Sequence, residues 1–191
     1  MKQLISVIVF LVLSSSNHYF QCDDYQSSIE YAYYAASETM SYSDEAYSYA
    51  RRAYNSDNLD DVQEYARRAI SAAEYAVSLA NDIESYASDA ESYAYDCNCD
   101  DGAYYASLTQ SSAIDAYSYA YDAYTYARRA YYSDYLDDAQ EYVRRAMSAA
   151  ANARDSASEA ESYASSGNGI CDNRVYGCPY YTSRTKNREE D

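Results

Sequence analysis

Histidine and large aliphatic residues are scarce in this chain. A single histidine, His18, excludes a histidine-based catalytic triad and a metal site built from several histidines. The sequence also has no phosphate-binding loop or other catalytic constellation, so we expect no enzymatic activity. About a dozen Leu, Ile, Val and Phe residues beyond the N-terminal segment, with a formal charge of −17, are typical of a disordered chain.

Basic residues are few as well, with 14 Lys and Arg against 31 Asp and Glu. Residues 69–127 hold ten acidic side chains and no basic one. Lys and Arg supply most of the affinity for phosphate backbones and for anionic lipid. We therefore expect no nucleic-acid partner, and favour a protein or glycan partner outside the cytoplasm, or self-association.

The N-terminal segment has the pattern of a secretory signal peptide over residues 1–21. Lys2 precedes the apolar run "LISVIVFLVL", and small residues follow it. The run is too short to span a bilayer core of about 30 Å, and no other transmembrane candidate follows. We expect cleavage after Ser16 or nearer Gln21. A lipid anchor on Cys22 is the alternative, which the bulky preceding residues "YFQ" disfavour.

This pattern predicts a secreted or extracytoplasmic protein, in the periplasm or at the cell surface if the source is bacterial.

An internal repeat opposes the disorder that composition suggests. The segment "LDDVQEYARRAISAAEYA" at 59–76 recurs 77 positions later as "LDDAQEYVRRAMSAAANA", with 13 of 18 letters the same. Small residues follow one another at alternating steps of three and four through both copies and the segments before them. That alternation is the a/d seam of a coiled coil, and 77 residues are eleven heptads, so the repeat preserves the seam.

The pattern predicts an all-α fold, an antiparallel bundle of two repeated αα-hairpins with alanine-rich heptad seams. The four long helices lie at about 27–54, 59–96, 103–131 and 136–165. We expect Ser and Asp of "NSDN" and "YSDY" to act as N-caps in the two hairpin turns. The second helix is longer than its neighbours, so either it overhangs or the hairpins are staggered.

The helical bundle is expected over residues 22–166, with repeat 1 at about 27–96 and repeat 2 at about 103–165. Residues 167–191 are expected to be an irregular tail that contains cysteines.

The chain contains 29 tyrosines, and many flank the seam. We expect these to cover the helix grooves with their hydroxyls in water: Tyr42, Tyr47, Tyr49, Tyr65, Tyr86, Tyr93, Tyr105, Tyr117, Tyr119, Tyr124, Tyr126, Tyr142 and Tyr163. Glycan binding, oxidative cross-linking and ferric iron binding are alternative uses of exposed rings. Tyr176, Tyr180 and Tyr181 in the tail are better candidates for contact than the flanking rings.

Five cysteines fall at one end of an up-down-up-down bundle: Cys22, Cys97, Cys99, Cys171 and Cys178. In an exported chain this clustering predicts a disulfide staple that ties the tail or the N-terminus to the 97–99 connection. The pairing of the individual cysteines stays open.

The connection between the hairpins begins like a calcium loop, with candidate ligands Asp96, Asn98, Asp100 and Asp101. It departs from that pattern because glycine stands at the seventh place and Ser107 replaces the bidentate glutamate. Zinc binding through Cys97 and Cys99 is weaker still, since one intervening residue is not a structural-zinc spacing. An acidic turn bridged by disulfides is the other interpretation.

Four arginine pairs lie near the two hairpin tips: 51–52, 67–68, 128–129 and 144–145. They suggest either an anion-binding end or a solvated surface of ion pairs. Glu64 with Arg68, and Glu141 with Arg145, are i,i+4 pairs in the favourable order, which supports the second interpretation.

The sequence thus predicts an exported non-enzymatic structural or interaction protein, a stiff Ala/Tyr-rich helical spacer or binding module without a cofactor. The alternative is a protein that binds Ca²⁺ or another cation at the acidic loop 96–102.

Overall fold

The computed structural model describes the backbone of residues 2–171 and the side chains of residues 22–171. Four helices follow one another: α1 (Lys2–Tyr54), α2 (Leu59–Asp96), α3 (Asp100–Tyr131) and α4 (Leu136–Gly167). Helices α1 and α3 each pack on both α2 and α4, and the described residues contain no strand. The predicted all-α bundle of two hairpins is therefore confirmed. Within these residues, no helix carries an apolar stretch long enough to cross a membrane.

The predicted seam forms the core, and we call its buried small residues the alanine seam. In the middle of the bundle Ala76, Ala120 and Ala153 form one cluster, and Ala80, Ala116 and Ala157 form the next. Larger core side chains lie towards the ends: Tyr25, Ile29 and Ile83 at one end, and Val62 and Val143 at the other. Because an alanine side chain is only a methyl group, the helices can approach closely along the whole middle of the bundle.

The flanking tyrosines border this seam as expected. Ten of the thirteen are partly buried, and Tyr86, Tyr117 and Tyr119 are exposed at 37%, 39% and 38%. Each ring therefore buries apolar area beside the alanine methyls while part of it stays in water.

One predicted helix start is wrong, and two other helix bounds differ from the prediction by two or three residues. Helix α1 does not begin near residue 27 but runs unbroken from Lys2, α3 begins at Asp100, and α4 continues to Gly167. The steps of three and four extend back from Ile29 through Tyr25 to Cys22, and all three side chains are buried. The C-terminal part of α2 packs on this added length, because Ala90 and Ala94 share a core cluster with Tyr25. The end of α2 therefore does not overhang.

The predicted Ser and Asp N-caps are also wrong. Asn58 caps α2, its side-chain oxygen accepting a hydrogen bond from the Asp61 backbone N–H at 2.8 Å, and Tyr135 occupies the cap position of α4 without a side-chain bond. The serine hydroxyls donate to carbonyls instead, Ser56 to Arg52 and Ser133 to Tyr135. Ser56 therefore binds the end of the preceding helix and Ser133 binds within its own turn, so neither hydroxyl caps the next helix.

The two hairpin turns hold each other through a reciprocal pair of hydrogen bonds. The Gln63 side-chain amide donates to the Ser133 carbonyl at 2.9 Å, and the Gln140 amide donates to the Ser56 carbonyl at 2.9 Å. The donors Gln63 and Gln140 are 77 residues apart in sequence, and so are the acceptors Ser56 and Ser133, which is the repeat distance. The hairpins therefore pair as the two halves of an isologous dimer would, related by an approximate two-fold axis within one chain.

Buried hydroxyls interrupt the alanine seam in α1 and α3. Thr39 and Thr109 donate to the carbonyls of Ala35 and Tyr105, four residues back in their own helices. The Ser43 hydroxyl is buried and has no hydrogen-bond partner within residues 22–171. Its repeat counterpart is Ala120, so the same place in the other hairpin holds no polar atom.

We expect Ser43→Ala to raise the free energy of unfolding. An unsatisfied buried hydroxyl costs about 1–3 kcal/mol, and its removal leaves no cavity larger than one oxygen. Serine to alanine also improves helix propensity by about 0.5 kcal/mol, so Ser41→Ala on the exposed face of α1 is the matched control. Urea unfolding should show that Ser43→Ala gains about 1 kcal/mol more than the control. Equal gains at the two positions would show that the buried hydroxyl costs nothing.

Candidate functional site

The bundle has two chemically different ends. We call the end with the turns 55–58 and 132–135 the tip end, and the end with the connection 97–99 and the chain after α4 the cysteine end. Within the described residues, the predicted cysteine, calcium-loop and arginine sites fall on these two ends, while Tyr176, Tyr180 and Tyr181 lie outside the described residues. The four helices between the two ends form the shaft.

A disulfide joins Cys99, at the start of α3, to Cys171, just after α4. The two cysteines are 72 positions apart in sequence, and their Cα atoms are 5.8 Å apart. The predicted bridge between the tail and the 97–99 connection is therefore present. Cys22 is buried and Cys97 partly buried at the same end, both in contact with other groups, while Cys178 lies outside the described residues.

Tyr25 fills the centre of the cysteine end. Its side chain is completely buried, and its hydroxyl donates a hydrogen bond to the Gly167 carbonyl at 2.8 Å. Burial raises the pKa of this phenol far above its ordinary value, and the nearby Cys97 adds to that effect. The group therefore stays neutral and acts as a packing and hydrogen-bonding element.

Two glycines make room for the Tyr25 ring and the disulfide. A methyl group at Gly167 would lie 2.9 Å from the Tyr25 hydroxyl. One at Gly102 would overlap the Cys171 sulfur and lie 3.1 Å from the Tyr25 ring. Gly102 is also the repeat counterpart of Tyr25, since 77 positions separate them. The approximate two-fold symmetry is thus broken at this end by a large residue in one repeat and glycine in the other.

The predicted calcium ligands are not gathered into one cluster. Asp96 ends α2, Asn98 lies in the connection with a φ of 57°, and Asp100 and Asp101 form the first turn of α3. Between residues 22 and 171, no group of three or more His, Cys, Asp or Glu side chains is placed to hold a metal ion. Asp100 and Asp101 favourably oppose the positive end of the α3 dipole. Calcium binding by this loop stays a prediction.

At the tip end, one glutamate in each repeat holds two arginines. Glu64 accepts from Arg67 at 3.1 Å and from Arg68 at 2.9 Å. Glu141 binds Arg144 and Arg145 at 2.8 Å each. The two predicted i,i+4 pairs are confirmed, and each gains an i,i+3 partner. Hydrogen bonds from these arginines lower the pKa of both glutamates to about 2.

The arginines also lie over tyrosine rings. Arg68 is 6.0 Å from the Tyr49 ring centre, and its counterpart Arg145 is 5.9 Å from that of Tyr126. Arg129 lies 5.8 Å from the same Tyr126 ring. Such cation–π contacts contribute about 0.5–1 kcal/mol at exposed sites. At the tip end, Arg68 and Arg145 therefore each contact both a glutamate carboxylate and a tyrosine ring.

A cleft in the second repeat lies beside these arginine contacts, and a smaller cavity of about 180 Å³ lies against Arg67 and Arg68 in the first repeat. The cleft has a volume of about 590 Å³ and is lined by Arg128, Arg129, Tyr132 and Tyr135, among others. Neither arginine makes a salt bridge within the described residues, which leaves the anion-binding interpretation open. The first repeat has Asn55 and Asn58 where the second has Tyr132 and Tyr135. The second repeat therefore lines its cleft with two rings that the first repeat lacks, and sequence reasoning did not single them out.

The shaft is acidic and covered with tyrosine. Apart from the arginine pairs of the tip end, its one basic side chain within residues 22–171 is Arg154, which binds Asp155 at 2.7 Å and Asp44 at 3.2 Å and so links α4 to α1. Many of its rings are well exposed: Tyr31, Tyr34, Tyr75, Tyr86, Tyr95, Tyr104, Tyr117, Tyr119 and Tyr121.

Comparison with models of known protein families, with curated proteins and with solved structures found no match.

We expect the disulfide to stabilise the fold. A bridge that closes a loop of this length restricts the unfolded chain and contributes about 2–4 kcal/mol. Replacing both Cys99 and Cys171 with serine should lower the free energy of unfolding by that amount in urea. Equal unfolding midpoints for the wild-type protein and the double variant would contradict this role.

The tip ion pairs predict a pH dependence. Because the folded pKa of Glu64 and Glu141 is about 2, below the ordinary value near 4.5, their contribution is complete above pH 4.5 and is lost as the pH falls towards 2. The variant with Glu64→Gln and Glu141→Gln should therefore lose less stability than the wild-type protein over that window. Salt should reduce the difference, because the pairs are exposed.

The control for this experiment is Glu74→Gln, since Glu74 is exposed and makes no salt bridge within the described residues. Thermal unfolding at a series of pH values gives the comparison. Identical pH profiles for the wild-type protein and the Glu64/Glu141 variant would show that the pairs do not stabilise the fold.

Proposed function

We propose that this chain is an exported, non-enzymatic protein that works as a stiff helical spacer or binding module. The observation that carries the proposal is a shaft of long helices fastened at both ends. Reciprocal glutamine bonds join the two turns at the tip end, and the Cys99–Cys171 disulfide closes the cysteine end. Helices α3 and α4 have 32 residues each, about 48 Å at 1.5 Å per residue.

Export is supported by the N-terminal pattern and is compatible with the disulfide. Disulfides persist mainly in oxidising compartments, outside the cytosol. The burial of Cys22 favours a role in packing over attachment of a lipid. An acyl chain on this sulfur would displace it from the helix interface.

A binding role is supported by the exposed rings of the shaft. A tyrosine ring offers apolar area and a hydroxyl at low conformational cost, which suits contact with a protein or a glycan. The surrounding carboxylates favour a neutral or basic partner over an anionic one. A second copy of the chain is a further partner of this kind, through the arginine-bearing tip end.

We expect the mature protein from its native host to begin between Asn17 and Cys22 and to carry the Cys99–Cys171 disulfide. Its intact mass, measured before and after reduction, reports both features because each disulfide gains two hydrogen atoms when reduced. Small-angle scattering on the same sample should give a particle at least about 48 Å long.

A mass that begins at Met1 and does not change on reduction would contradict export. A mass that begins at Cys22 with added acyl chains would replace the freely exported protein with a membrane-tethered one. A compact particle shorter than the helices would contradict the spacer role, whatever the location of the protein.

A further inference from the structure

Two pairs of tyrosine rings meet across the interface between α1 and α2. The ring centres of Tyr31 and Tyr86 are 5.4 Å apart with an angle of 37° between the planes. Those of Tyr42 and Tyr75 are 5.1 Å apart and stacked, with an angle of 27°. In both helices the two positions differ by eleven residues, close to three helical turns, so the pairs lie on one face.

These rings are accessible from the solvent. Tyr31 is 58% exposed, Tyr75 60% and Tyr86 37%, while Tyr42 is half-buried. None of the four hydroxyls makes a hydrogen bond to another of the described residues. A diffusing oxidant can therefore reach at least one phenol of each pair, and the partner ring lies in contact with it.

The second hairpin provides the same backbone geometry without the pairs. The counterparts of Tyr31 and Tyr86 are Leu108 and Tyr163. Those of Tyr42 and Tyr75 are Tyr119 and Asn152. Each of these two places in the second hairpin thus retains one tyrosine and lacks its partner. Among residues 22–171, tyrosine rings pair across a helix–helix interface only in the first repeat.

We propose that Tyr31–Tyr86 and Tyr42–Tyr75 are sites of oxidative coupling that join α1 to α2 by carbon–carbon bonds. Each phenol loses one electron and its hydroxyl proton, which gives a phenoxyl radical. The two radicals then form a bond between the ring carbons next to the hydroxyl-bearing carbons. Loss of the hydrogen on each of these carbons, with return of a proton to each oxygen, restores the two phenols.

Each bridge removes two hydrogen atoms from the protein. The oxidant is a peroxide used by a one-electron oxidising catalyst of the peroxidase type, and one hydrogen peroxide accepts the two electrons and two protons to become two waters. The proposal concerns the folded chain itself and does not depend on the spacer role.

Other tyrosine contacts are less suited to this reaction. Three are sequence neighbours whose rings meet edge to face, at interplanar angles of 67° to 76°: Tyr33 with Tyr34, Tyr104 with Tyr105, and Tyr131 with Tyr132. Two lie within α3 at longer distances, Tyr117–Tyr121 at 6.4 Å and Tyr121–Tyr124 at 6.1 Å. We therefore expect the two cross-helix pairs to couple first.

The test is brief treatment of dilute folded protein with hydrogen peroxide and a peroxidase, followed by reduction and alkylation of the cysteines, tryptic digestion and tandem mass spectrometry. Residues 69–128 form one tryptic peptide because no Lys or Arg occurs in 69–127. The expected product is this peptide joined to the peptide that ends at Arg51. Its mass should be the sum of the two peptide masses less two hydrogen atoms per bridge. Fragment ions should place the bonds at Tyr31–Tyr86 and Tyr42–Tyr75.

Phenylalanine variants give the matched controls, since they keep the rings and remove only the reactive hydroxyl. Tyr31→Phe and Tyr75→Phe should each remove one bridge, and the double variant should lose the joined peptide. Conversely, the double variant Leu108→Tyr with Asn152→Tyr should create new bridges in the second hairpin, to Tyr163 and Tyr119. Circular dichroism confirms that each variant keeps its helices.

Three results would overturn the proposal. One is a wild-type protein in which the joined peptide does not form. Another is a joined peptide that persists in the double phenylalanine variant. The third is coupling between molecules only, which a mixture of isotopically labelled and unlabelled protein reveals.

Discussion

An alanine methyl contributes about 0.8 kcal/mol on burial, so a core made largely of alanine is stable only if the helices come close enough for every methyl to be covered. The alanine seam meets this condition because buried small residues follow one another at steps of three and four in all four helices, with Thr39, Ser43 and Thr109 at the positions that are not alanine in the middle of α1 and α3. Large side chains are restricted to the two ends of the core, and the flanking tyrosines cover the grooves outside it. The rest of the structure depends on this close approach.

The repeat distance follows from the same constraint. A copy displaced by eleven whole heptads continues the seam in register, and the two hairpins then face each other through equivalent surfaces. At the cysteine end the two repeats cannot carry the same residue at equivalent positions. Two copies of the Tyr25 ring would compete for one space near the axis, and Gly102 in the second repeat removes that conflict while admitting the disulfide.

Sequence reasoning predicted what periodicity controls, namely the fold class, the seam residues and the Glu64 and Glu141 ion pairs. It missed Tyr25 because the predicted first helix begins at about residue 27, although the same steps lead back through Tyr25 to Cys22. It missed the two cross-helix tyrosine pairs because a heptad position describes one helix and not the register of its neighbour. The cleft beside Tyr132 and Tyr135 was missed for a related reason, since it arises where the two repeats differ.

The seam holds the helices together as one cooperative unit despite a composition typical of disorder. Cooperativity can be measured by native-state hydrogen exchange on Ala76, Ala120 and Ala153, which lie in three different helices and share one core cluster. We expect all three amides to exchange only through global unfolding, with one shared free energy of opening that falls with urea by the same slope at each amide. Fast or independent exchange of the three amides would mean that the helices form separately, and it would contradict the bundle.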